Sequence, residues 1–145
     1  MRAVIQRVSE ARVIVGAEVV GQVGRGLLVL VCAQPQDTAG TAQKFLDKLL
    51  RLRIFADEQG KMNRSVQDVD GGVLLVSQFT LAADVSRGTR PGFSGAATPA
   101  FAREWFDHLV HLARQAHPHV ATGVFAADMQ VHLVNDGPVT IPIDM

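Results

Sequence analysis

Gly24-Arg25-Gly26 leads into Leu27-Leu28-Val29-Leu30-Val31-Cys32-Ala33, "GRGLLVLVCA" over residues 24–33. The run after the glycines has no charged or amide side chain. An apolar run of this length, bounded by a turn signal, reads as a strand covered on both faces, and so as the centre of a sheet. Its neighbours follow from that. Upstream, Val4–Val8 and Arg12–Val15 read as strands, and Gly16-Ala17 turns the chain into a further strand, Glu18–Val23. Downstream, Ala42, Phe45, Leu46, Leu49 and Leu50 recur at helical spacing. Gln43, Lys44, Asp47, Lys48 and Arg51 take the opposite face.

Beyond the first helix, Arg53-Ile54-Phe55 reads as a short strand and Ala56–Gly60 as a polar loop. Gly71-Gly72 precedes the apolar strand Val73–Val76, which runs into Ser77-Gln78-Phe79-Thr80, and a long loop extends from Ala82 to Thr98. Thr98 is a good N-cap and Pro99 suits the first helical position. Phe101, Ala102, Trp105, Phe106, Leu109, Leu112 and Ala113 then form a wide apolar face. The rest is strand-like. Met129–Val134 alternates, and Val139–Ile143 resumes after Asn135-Asp136-Gly137-Pro138. The expected architecture is α+β: a curved, mostly antiparallel sheet of about six or seven strands forming a partial barrel, with two helices packed on one face.

At 145 residues the chain reads as one domain, residues 1–145, large enough to fold without disulfides or metal. Hydrophobic residues make up 48% and charged residues 19%, an ordinary globular balance. Cys32 is the single cysteine. It reads as an inert buried thiol and suits a reducing cytoplasm. Charge recurs too early after Met1 for a targeting peptide, and no run approaches a membrane span. Formal net charge is zero, which by itself does not favour a nucleic-acid partner, though it allows a local basic patch.

Candidate chemistry is sparse when each motif is read alone. His108, His111, His117, His119 and His132 lack a cysteine pair or HExxH spacing, so they read as solvated helix and loop histidines, with no metal expected. "GQVGRG" lacks the Lys-Ser/Thr of a phosphate loop and lies between strands, so it reads as a hairpin turn. Ser77 and Thr80 sit at a strand end with no adjacent base, which fits capping hydroxyls as well as active groups. Arg87 and Arg90 lie in Ser86–Gly92, a stretch of that loop without acids that could contact phosphates or simply be solvated. Asn-Asp-Gly is turn chemistry, while a proline inside a strand run belongs on an edge or at a bulge.

Two of these weak signals occur in order. "SQFTLAAD" at Ser77–Asp84 and "NDGPVT" at Asn135–Thr140 resemble the two signature motifs of the D-aminoacyl-tRNA deacylase (D-tyrosyl-tRNA deacylase) family. "IQRV" (Ile5–Val8), "GKMN" (Gly60–Asn63), Arg90-Pro91 and "FAADMQV" (Phe125–Val131) extend the resemblance over the whole chain. It implies a barrel-like homodimer that hydrolyses the ester between a D-amino acid and the terminal adenosine of tRNA in the cytoplasm. It implies no cofactor. By resemblance, Gly137-Pro138 is a Gly-cisPro chirality filter supplied across the dimer, and Arg7 supports it. Ser77, Gln78, Phe79 and Thr80 line the catalytic pocket, and Phe125 and Met129 hold the adenosine end. A generic Ser/Thr esterase and a non-catalytic tRNA-binding dimer are the alternatives.

Overall fold

A computed structural model describes all of residues 1–145. The chain runs β1 (Arg2–Val15), β2 (Glu18–Val23), β3 (Gly26–Cys32), α1 (Ala39–Arg51), β4 (Phe55–Ala56), β5 (Met62–Arg64), β6 (Gly72–Ser77), α2 (Pro99–Ala116), β7 (Val120–Thr122) and β8 (Gln130–Asp144). A one-turn 3₁₀ segment, Phe79–Ala82, follows β6. Six strands form one sheet in the order β2-β1-β3-β6-β7, with β8 on the free edge of β1. Strands β4 and β5 make a separate hairpin. The architecture is α+β, and four of the six strand pairings are antiparallel.

The apolar run 27–33 is indeed the covered centre. Leu27, Val29 and Val31 face the helices with Val73 and Leu75 of β6, while Leu28, Leu74 and Val76 face the concave side. Because β3 and β6 run parallel, helix α1 and the β4–β5 hairpin must carry the chain back between them, and α2 does the same between β6 and β7. Both helices therefore lie over the same face. From α1, Ala42, Phe45, Leu46, Leu49 and Leu50 are buried, the set given by the helical spacing. Each such Leu or Phe contributes roughly 1.5–3 kcal/mol by leaving water. Thr98 caps α2 by accepting from the Phe101 N–H at 3.3 Å.

"GQVGRG" is not a hairpin turn: Gly21–Val23 end β2, Gly26 opens β3, and the two strands each pair with β1 and not with each other. Three further expectations need correction. First, Val4–Val8 and Arg12–Val15 are one strand. Ser9 and Glu10 are exposed, which breaks the pattern, but they mark a bend where the β1–β8 register shifts. Second, the short strand after α1 begins at Phe55, so Arg53 and Ile54 precede it. Third, His117 is buried and not solvated: its N–H donates to the Ala113 carbonyl at the end of α2, and its Nε2 lies 2.6 Å from the Gly71 oxygen. His119 lies 3.1 Å from the Asp70 carboxylate.

The sheet curls until its edges nearly meet. A Cβ on Gly21 of β2 would stand 2.2 Å from the Thr122 carbonyl oxygen of β7, so only glycine allows the two backbones this close. The result is an almost closed barrel. Val8, Ala11, Val13, Leu28, Leu74 and Val76 fill it, with Val23, Ala121 and Leu133 packed beside them.

Strand β8 carries the largest irregularity. Gln6 pairs with Thr140 and Val8 with Asn135, so Arg7 alone stands opposite residues 136–139. Asp136, Gly137 and Pro138 are exposed, and the Gly137-Pro138 peptide is cis. Asn135 closes the base of this bulge. Its Oδ1 accepts from the Val139 N–H at 2.8 Å, and its Nδ2 donates to the Val139 carbonyl at 3.1 Å. The proline is placed where it withholds no ladder donor.

Candidate active site

β6 ends at Ser77, beside Val31 of β3. One more ladder bond, Gln78 N–H to Val31 oxygen at 2.8 Å, holds the chain before it turns. Phe79 and Thr80 then open the 3₁₀ segment, where N–H groups have no acceptor within the turn. The Gln78 Nε2 donates to Thr80 Oγ1 at 2.5 Å. That amide cannot take a proton from the hydroxyl, and no histidine, lysine or carboxylate bonds to it. Thr80 has no activating base.

A cavity of about 500 Å³ opens beside this turn. Ser77, Gln78, Phe79 and Cys32 line one side; Ala102, Phe106 and Leu109 of α2 line another. Phe125 and Met129, in the crossing from β7 to β8, complete it. Fifteen of its eighteen lining residues are hydrophobic, so an apolar body would fill most of it with a few polar groups at one end. Ala102 of the wide α2 face lines this opening and stays only half-buried, while Val110, outside the expected set, is buried in the core under the helices.

The cavity brings together Ser77, Gln78, Phe79, Phe125 and Met129. Thr80 adjoins it without lining it. Arg7, Gly137 and Pro138 lie elsewhere in the same chain, around the β1–β8 bulge. There the Arg7 Nη1 donates to the Ile54 carbonyl at 2.7 Å. Arg87 and Arg90 are exposed and unpaired in the loop after the 3₁₀ turn. The loop base is pinned by paired Asp84–Gly92 backbone bonds of 2.8 and 2.9 Å. Hydrogen bonds from Ser86 hold the Asp84 carboxyl below its ordinary range.

Three features in or beside the cavity escaped sequence reasoning. Cys32 lines the wall, and burial pushes its thiol up from the ordinary value. Ala126 lines it with φ +65°, a left-handed conformation for which an alanine gives no signal. Arg103 lays its guanidinium 4.8 Å from the centre of the Phe125 ring, and helical periodicity registers Arg103 only as a solvated position.

A family model described as D-Tyr-tRNA(Tyr) deacylase matches residues 4–144. The chain belongs to that family. It is thus a deacylase, an ester hydrolase. The deacylase is 63% identical to a D-aminoacyl-tRNA deacylase of Variovorax paradoxus (strain S110), over all of this chain and 99% of that one. It is 65% identical to the D-aminoacyl-tRNA deacylase of Paracidovorax citrulli (strain AAC00-1), over 99% of this chain and 92% of the relative. A solved structure described as "c-Myc DNA Unwinding Element Binding Protein" superposes with a TM-score of 0.95 at 39% identity, covering 100% of this chain and 99% of that one. No helix of the deacylase is long and apolar enough to cross a membrane.

Proposed function

We propose that residues 1–145 act as one domain that hydrolyses the ester joining a D-amino acid to the terminal adenosine of tRNA, in the cytoplasm and as a homodimer. The observation that carries this reading is the apolar cavity ending at Ser77-Gln78-Phe79, beside a hydroxyl that has no base. The adenosine enters between Phe125 and Met129. The ester reaches the polar end. Water attacks the carbonyl carbon, assisted by the substrate's own 2′-hydroxyl. The N–H groups of Phe79 and Thr80 stabilise the oxyanion, and the 3′-hydroxyl departs as the C–O bond breaks. Arg87 and Arg90 meet tRNA phosphates outside the cavity.

Selection is by main chain. A proofreader must accept many D side chains and refuse every L side chain, which a fitted side-chain pocket cannot do. Gly137 and Pro138 are exposed at the tip of the β8 bulge and absent from their own chain's cavity. In a homodimer they are available to the other subunit's site, where rigid backbone against Cα excludes the L configuration. A generic Ser/Thr esterase would need an activated hydroxyl, which Thr80 lacks.

The test is a deacylation assay with matched D- and L-aminoacyl-tRNA on wild type, Gly137→Ala and Pro138→Ala. Wild type should clear only the D form, and the variants should lose rate or discrimination. Equal cleavage of both forms by wild type, or equal cleavage of a short D-aminoacyl ester without tRNA, would sink the reading. Binding of tRNA without turnover would leave the scaffold alternative.

A further inference from the structure

We infer that Arg103 is a phosphate-positioning residue at the rim of the cavity, taking the phosphodiester that leads into the terminal adenosine. This rests on the deacylase reading above. Helix α2 turns Ala102 and Phe106 into the cavity and carries Arg103 one position round, on its exposed side. The guanidinium sits over Phe125, whose ring lies 6.1 Å from that of Phe106. One aromatic wall therefore separates the apolar interior from a fixed cation.

That cation is uncommitted. Glu104 adjoins it and Asp107 follows one turn later on the same helix, yet neither forms an ion pair with it, and no hydrogen bond occupies its donors. A guanidinium stacked on a ring keeps its N–H fork free at the edge, ready for two phosphate oxygens. The cavity lining contains no lysine or arginine. In this reading a nucleoside seated against Phe125 sends its 5′-phosphate out past that ring, toward Arg103. The Arg87–Arg90 loop follows the 3₁₀ turn on a different element, so Arg103 supplies a separate contact. With zero formal net charge overall, such a local cation matters more than the total.

The experiment compares wild type, Arg103→Gln and Arg103→Lys on two substrates: D-aminoacyl-tRNA, and D-aminoacyl-adenosine, which has no phosphate. With tRNA, Arg103→Gln should raise KM about five- to tenfold at nearly constant kcat and flatten the salt dependence by about 0.7 in log–log slope, one single-strand phosphate contact. Arg103→Lys should recover only part of the KM, since an ammonium keeps the charge but not the fork. With D-aminoacyl-adenosine all three should agree. An equal loss on both substrates would mean that Arg103 only props Phe125, and no loss on either would leave it without a role; each overturns the inference. Wild type inactive on both substrates would instead overturn the deacylase reading itself.

Discussion

The Arg7 guanidinium donates through Nε to the carbonyl oxygen of Asp136 at 2.8 Å, and its Nε lies 3.7 Å from the Asp136 carboxylate. With Nη1 on Ile54, one side chain ties the bulge of β8 to the segment after α1. Arg7→Ala should cost about 2 kcal/mol, since hydrogen bonds from a charged donor are each worth roughly 1.5–3 kcal/mol. Arg7→Lys should recover only part, because a single ammonium cannot span both carbonyls. Urea unfolding reads the stability, and the ratio of D to L cleavage reads the proposed role of the bulge in selection. Unchanged stability in Arg7→Ala would show that the clamp is idle.

Gly137 has φ +155°, and a Cβ there would lie 2.6 Å from the Val139 nitrogen and 3.4 Å from Arg7 Nη2. Gly137→Ala should therefore cost roughly 1–3 kcal/mol of local strain. Its activity should fall much further than its folded fraction, measured by circular dichroism beside kcat/KM. A parallel fall of both would make Gly137 structural only.

Thr80→Ala should keep activity within about tenfold of wild type, because the hydroxyl is engaged by an amide and not by a base. A substrate whose terminal adenosine lacks the 2′-hydroxyl should be cleaved at least about a hundredfold more slowly if that group assists the water. The opposite pattern would restore Thr80 as the nucleophile. Single-turnover kinetics with the four enzyme–substrate pairs separate the two mechanisms.

Glycyl-tRNA should be deacylated alongside D-aminoacyl-tRNA. Glycine presents no Cβ, so a main-chain filter has nothing to exclude. Glycyl-tRNA left intact under conditions that clear the D substrate would mean that side-chain contacts do the selecting.

Cys32 should resist alkylation. Burial raises its pKa, so the neutral thiol is the form the fold favours. Stability is unaffected below the ordinary thiol pKa and falls as pH rises from that value towards the folded one, because only the unfolded chain releases the proton in that range. Maleimide labelling at pH 8 should be at least about tenfold slower in the native chain than in urea. The urea midpoint of wild type should fall more between pH 7 and pH 10 than that of Cys32→Ala. Equal labelling rates would place the thiol in water.

Much of this fold was legible because its signals are local. The covered strand 27–33, the α1 stripe and the Thr98-Pro99 start of α2 each depend on a few adjacent residues. Less local features were not. Strand β7 is only three residues long and takes its identity from β6, so nothing within Val120–Thr122 announces it. The parallel pairings arise from where the helices return the chain, not from the strands themselves. At the site, the two motif stretches could be quoted from the sequence, but the cavity wall could not. Ala126 has no side chain to betray its backbone, and Arg103 matters only because Phe125 folds beneath it.

The β8 bulge leaves the ladder and rejoins it within a few residues, with both feet hydrogen-bonded and the Asn135 amide across its base. It is thus a stud set in a plate, not a flap on a hinge. Its tip takes its position from the whole sheet, and meeting another molecule asks for little fresh ordering of the chain. That fixity is also a refusal: a partner of the wrong shape finds nothing that will yield.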